Sequence, residues 1–167
     1  MFMSFRYVRI LSAVTGLVLV VATAGCSHDE PEAFALPDHP RFTRVVDVAD
    51  LGPAIGATER PVTLLVPAEA ALAAARKDRP GLFSDPALAA YLVKLHLLEG
   101  RFTRADLLAR RGTRIRTLAG TSVMLGGTGA VLRVDGVTVR GAVRSPGGPP
   151  GLALDGVLLP PPAIGGG

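Results

Sequence analysis

From Thr113 to Val143 the chain alternates apolar and polar residues with a period of two, in short runs broken by glycines. A period of two sends successive side chains to opposite faces of an extended chain, which predicts strands over Thr113–Leu118, Ser122–Leu125, Ala130–Val134 and Val137–Val143. The last two are separated by Asp135-Gly136, a dipeptide suited to the tight hairpin turn that needs positive φ at both positions. Antiparallel ribbons of this kind keep one face wet and bury the other. The rest of the chain therefore has to supply a cover.

The segment upstream has the helical period needed for one. Pro61–Pro67 is an apolar run bounded by prolines, suited to a buried strand, and Ala68–Lys77 is alanine-rich helix former. Asp85-Pro86 offers an N-cap and a first-turn proline, after which Leu88, Tyr91, Leu92 and Leu95 share one predicted helix face that stops by Gly100. Thr103-Arg104-Ala105-Asp106 has the form of a capping box for a short helix ending before Gly112. After a Pro/Gly loop at 146–151, one or two closing strands are expected over Leu152–Leu159 about Asp155-Gly156. Strand, helices and then a run of short strands define an α+β domain with one core, in which Leu65, Leu92, Leu95, Leu107, Val134 and Leu158 are the expected interior.

The N-terminus reads differently. Arg6 and Arg9 precede an apolar run, Ile10–Ala22, followed by Thr23-Ala24-Gly25 and then Cys26, the only cysteine. Basic, apolar and small-residue regions in that order are the pattern of a secretory signal. Small residues directly before a lone cysteine resemble the bacterial lipobox, whose thiol is acylated, although Thr23 stands where that pattern has an aliphatic residue. Residues 1–25 are read as a lipoprotein signal peptide, with Cys26 as the lipidation site and the mature N-terminus. Residues 26–40 are read as a proline-punctuated tether, 41–162 as the folded domain and 163–167 as a flexible tail. Acyl chains add about 0.8 kcal/mol of membrane affinity per buried methylene, so such a protein stays at the extracytoplasmic face of a cell membrane. Loss of residues 1–25 removes Arg6 and Arg9 and no acid, lowering the net charge from +4 to +2, so part of the basic character belongs to the leader.

The remaining arginines cluster at Arg101, Arg104, Arg110, Arg111, Arg114 and Arg116. Nucleic-acid surfaces interleave aromatics for stacking, and Phe102 is the sole aromatic nearby, so a nucleic-acid partner is not expected. The arginines read mainly as the wet face of a half-buried strand, with an acidic partner as the alternative. His96 is the one histidine outside the tether and the only residue that invites a catalytic reading, with Ser84, Ser122 or Ser145 as nucleophile. No Gly-x-Ser-x-Gly turn presents any of these hydroxyls, and no carboxylate can be placed beside His96 from spacing. It reads instead as a half-buried structural residue where helix passes into strand. With no second His or Cys in the folded part, neither a metal nor a cofactor is expected, and Gly126-Gly127-Thr128-Gly129 reads as a turn.

Several segments in order resemble the fasciclin (FAS1) domain. Thr63–Leu72 looks like that family's Thr-led strand running through proline into a helix, and Leu95–Leu107 resembles its central histidine segment with the following Gly and Thr-x-x-Asp-Leu. Thr117–Gly120, Val134–Val137 and Leu154–Pro160 resemble its later landmarks. The resemblance implies a compact α+β fold, a β-grasp-like wedge of short strands with a helical layer. It also implies a noncatalytic role in adhesion or in protein or glycan interaction at the cell envelope. A carrier or sensor binding a small apolar ligand between helices and sheet is the alternative, and an enclosed apolar pocket would favour it.

The chain departs from the family pattern at several points. Ala68 and Glu69 replace the usual cap of the first helix, and Leu95 replaces the aromatic before the histidine. Val143–Leu154 lacks the acidic-aliphatic site implicated in integrin adhesion, so that role is not carried over. The short stretch before Pro61 leads to the expectation of an abbreviated helical layer.

Overall fold

A computed structural model of the protein describes residues 34–160. The leader, Cys26 and the tail at 163–167 lie outside the described residues. Six helices and seven strands follow in the order α1 (Pro40–Val48), α2 (Gly52–Gly56), β1 (Val62–Pro67), α3 (Glu69–Asp78), α4 (Gly81–Ser84), α5 (Pro86–Leu95), β2 (Leu97–Glu99), α6 (Arg104–Ala109), β3 (Arg114–Arg116), β4 (Ser122–Gly126), β5 (Leu132–Val134), β6 (Val137–Val143) and β7 (Gly151–Leu154).

Local signals account for most of the boundaries. The Asp85 carboxylate accepts the Leu88 N–H at 2.9 Å and starts α5. Thr103 and Asp106 form the reciprocal capping box of α6. Asp135 and Gly136 both have positive φ, 46° and 83°, in the turn that joins β5 to β6. Helix α3 has Ala68 at its N-cap and no side-chain cap, as expected. Glu69 in its first turn instead accepts the Arg41 backbone N–H and guanidinium, which ties α1 to α3.

The strands form one sheet in the order β2-β1-β7-β6-β5-β4-β3. Every neighbouring pair is antiparallel except β1 and β7, which run parallel with Leu65 opposite Leu152. The two ends of the sheet meet: Leu98 bridges Thr117, and the Leu118 N–H donates to the Leu97 carbonyl at 2.9 Å. Closure removes the free edges that an open sheet would present for strand addition.

A closed sheet has an inside and an outside, so the single expected core is two clusters. One, including Phe42, Val46, Leu64, Val66, Leu72 and Leu92, lies between the helices and the sheet. The other, including Leu65, Leu107, Leu125, Leu132, Val134 and Leu158, fills the opposite side. Strand β1 separates them and is buried at all six positions, which is why it reads as a continuous apolar run. All six side chains expected in the interior are buried.

Three features differ from the sequence reading. Phe34 and Leu36 are 5% and 2% exposed, so the packed unit begins inside the segment read as tether at 26–40. The stretch before Pro61 is no abbreviation, because it contributes both α1 and α2, with Phe42 fully buried. The buried positions of α5 are Ala89, Leu92, Val93 and Leu95, whereas Leu88 is 46% exposed. Helix α5 packs against α1 and α4, and Ala89, a small residue, is fully buried where the larger Leu88 is not. One closing strand forms, β7, within the one or two expected, and it ends at Leu154, while β2 is too short to show a period.

Candidate functional site

His96 sits at the C-cap of α5 and is fully buried, against the half-buried placement expected. Its Nδ1 lies 2.8 Å from the Leu92 carbonyl oxygen, and its Nε2 accepts the Leu158 N–H at 3.1 Å. A carbonyl can only accept and an amide N–H can only donate, so the imidazole is neutral with its proton on Nδ1. Burial pushes its pKa down from 6.5 to about 4, against the smaller opposing effect of the Leu92 carbonyl. The ring also packs on Phe42, with centroids 5.6 Å apart. Helix α5 is thus fastened to the segment after β7 by a residue 62 positions away.

With both ring nitrogens engaged by backbone, His96 has no lone pair to offer a substrate, and no serine or carboxylate bonds to it. Ser84 donates to the Pro80 carbonyl, and Ser122 is exposed on β4. Among the described residues no group of three His, Cys, Asp or Glu side chains could hold a metal ion. Asp106, whose pKa lies below the usual carboxylate range because it accepts the Thr103 backbone N–H, serves the capping box. The glycine-rich stretch at 126–129 is a turn, where a Cβ on Gly127 would come within 2.1 Å of the Val131 carbonyl oxygen.

A second polar cluster explains the Thr63 of the N-terminal strand. Its hydroxyl donates to the Gly100 carbonyl and accepts the Phe102 N–H, each at 2.8 Å, from a fully buried position. Gly100 has φ +121°, and a Cβ there would lie 2.5 Å from the Phe102 ring, so only glycine fits beneath it. Thr63→Val keeps the shape and strands one buried donor and one acceptor. It is expected to lower unfolding free energy by about 1–3 kcal/mol in urea titrations, and a change under about 0.5 would show that water replaces the hydroxyl.

The arginine cluster separates by role. Arg104 donates to the Ala130 carbonyl, Arg111 to those of Gly129 and Leu108, and Arg110 lies over the Phe102 ring, 5.3 Å from its centroid. Arg104 and Arg111 tie α6 to the β4–β5 turn, and Arg110 packs on the residue before α6's cap. Arg140 pairs with Asp155, which raises its pKa. Arg114 and Arg116 flank buried Ile115 on β3, and Arg133 lies between buried Leu132 and Val134 on β5, so all three project from the outer sheet face. Met124, opposite Arg114, is 40% exposed there. Of the nearby carboxylates, Asp135 accepts the Met124 N–H, and Glu99 stands opposite Arg116 across the Leu98–Thr117 bridge without forming an ion pair among the described residues. No ion pair engages Arg101, Arg114, Arg116 or Arg133 among the described residues. Sequence reasoning missed Arg133, which joins this face only through strand pairing across β4.

An apolar groove of about 170 Å³ lies between α2 and the β1–β2 end of the sheet. It opens to solvent and is not the enclosed cavity that the carrier alternative called for.

A closed sheet roofed by short helices, with its one buried histidine committed to backbone, defines an α+β scaffold domain. A family model for the fasciclin domain matches residues 37–148, and the chain belongs to that family. Among solved structures it is similar to a FAS1 domain pair from the insect cell adhesion molecule Fasciclin I, at 17% identity and a TM-score of 0.51. That likeness covers 71% of this chain and 44% of the other, so the chain spans less than half the length of that domain pair. No curated protein sequence matches.

Proposed function

We propose that the protein is a noncatalytic FAS1 domain, held by a lipid on Cys26 at the extracytoplasmic face of a cell membrane, that binds an envelope or extracellular protein or glycan. The observation that carries the interaction reading is the division among the arginines. Arg104 and Arg111, in and just after α6, are engaged within the fold, while Arg114, Arg116 and Arg133 share an outer face without ion-pair partners among the described residues. Unpaired guanidiniums on a rigid sheet suit carboxylate or sulfate groups, which they bind in forked geometry. Membership of the fasciclin family supports a noncatalytic domain, and the similar domain pair comes from a cell adhesion molecule. The membrane assignment rests on the leader pattern before Cys26.

Two measurements test the reading. Mass spectrometry of the membrane fraction is expected to find an acylated peptide beginning at Cys26, with Cys26→Ala blocking its formation. A mature N-terminus that retains Arg6 and Arg9 would overturn the anchor. Affinity capture from membranes is expected to lose its acidic partner when Arg114, Arg116 and Arg133 are all changed to Glu, and unchanged capture would count against this face.

A further inference from the structure

We infer that the groove beside α2 is a binding site for a small amphipathic carboxylate, an anionic head carried on one aromatic ring or short branched chain. The inference is independent of the arginine face. The floor is Val62 and Leu97, each 2% exposed, together with Ile55 at 4%, and half-buried Leu51 and Leu118 also line it. A dry apolar cavity of about 150 Å³ is enough to hold benzene, so the roughly 170 Å³ here matches one ring rather than a long acyl chain.

Charge sets the chemistry of the head. Lys94, on the last turn of α5, is the only charged residue lining the groove, is exposed, and makes no ion pair among the described residues. The remaining polar liner is Thr58. A neighbouring recess shares Val62 and Leu118 with the groove and adds Arg60 and Glu99, which have opposite charges, so the excess over both recesses is positive. The roof can adapt, because α2 is five residues long and Ile55 is its one buried side chain. An apolar body on Val62, Leu97 and Ile55 with a carboxylate at the Lys94 ammonium satisfies each lining group.

The test uses the full chain with labelled Ile, Leu and Val methyl groups, titrated with phenylacetate and, separately, with uncharged phenylacetamide at pH 7. Phenylacetate is expected to move the methyl resonances of Ile55, Val62 and Leu97 and leave Leu132 and Val139 of the other cluster in place. Ten heavy atoms at a ligand efficiency up to about twice that of drug-sized molecules, as small probes reach, correspond to a Kd of roughly 0.05–1 mM. Lys94→Met and the switch to phenylacetamide should each weaken binding about 1.5-fold to fivefold, the scale of an exposed ion pair. Ala54→Phe, which fills the groove from an exposed position, should abolish it while leaving the melting temperature in place. Absence of groove shifts up to about 10 mM probe, a concentration well above that Kd range, would overturn the site. So would shifts that survive Ala54→Phe or that follow protein concentration instead of probe. Equal affinity for acid and amide would overturn the anionic head.

Discussion

Lowering the pH from 7 to 4 is expected to cost the native fold on the order of 3 kcal/mol through His96 alone. The folded imidazole titrates near 4 and the unfolded one near 6.5, so between those values the unfolded chain binds a proton that the folded chain refuses. Stability from this residue is complete above pH 6.5 and is lost as pH falls through 6.5 toward 4. The physical reason is that burial disfavours the charged ring, and protonation would also place a hydrogen on Nε2, where the Leu158 N–H already points. At about 1.4 kcal/mol per unit, the shift of roughly two and a half units gives the stated magnitude. His96→Gln removes the titration and is expected to lose about 1–2 kcal/mol at pH 7 through poorer hydrogen bonds. The two proteins should therefore approach or exchange their order of stability near pH 4. Urea titrations of both between pH 4 and 7.5 make the comparison, which cancels the common contribution of the carboxylates. Parallel curves for the two proteins would refute a neutral, doubly bonded His96.

Phe42→Ala is expected to lower stability by about 3–5 kcal/mol, the range for an aromatic removed from a packed interior. Phe42 has no exposed surface and packs against the His96 ring, so its loss opens a cavity beside the fastening of α5. Leu88→Ala is the contrast, because Leu88 is 46% exposed and its truncation should change stability by less than about 0.5 kcal/mol. Similar losses in the two variants, measured by denaturant unfolding, would show that the outer face of α5 is covered.

The pairing of these two variants shows how far a linear pattern reaches. Leu88 lies on the apolar face that spacing predicts, while Phe42 lies in a stretch that resembles a short lead-in to the domain. Helical spacing defines a face only to within one position, and packing against α1 and α4 buried Ala89 and Val93 in place of Leu88. Phe34 and Leu36 had no period around them to mark them as interior.

The sequence by itself determined what depends on a few adjacent residues. The Asp85 cap, the Thr103–Asp106 box, the Asp135-Gly136 turn and the apolar run of β1 are each complete within a handful of positions, and their geometry follows from local hydrogen bonds and allowed φ values. Tertiary structure alone decided what joins distant segments. The parallel pairing of β1 with β7, the closure of Leu98 on Thr117, and the bond from Leu158 to His96 join residues far apart in the chain. The same holds for the arginines, where Arg104 and Arg111 are taken by carbonyls of the β4–β5 turn and Arg133 comes to the face of Arg114 and Arg116 across β4. Contacts of this kind come from closing the sheet around a core, and no local pattern encodes which groups closure brings together.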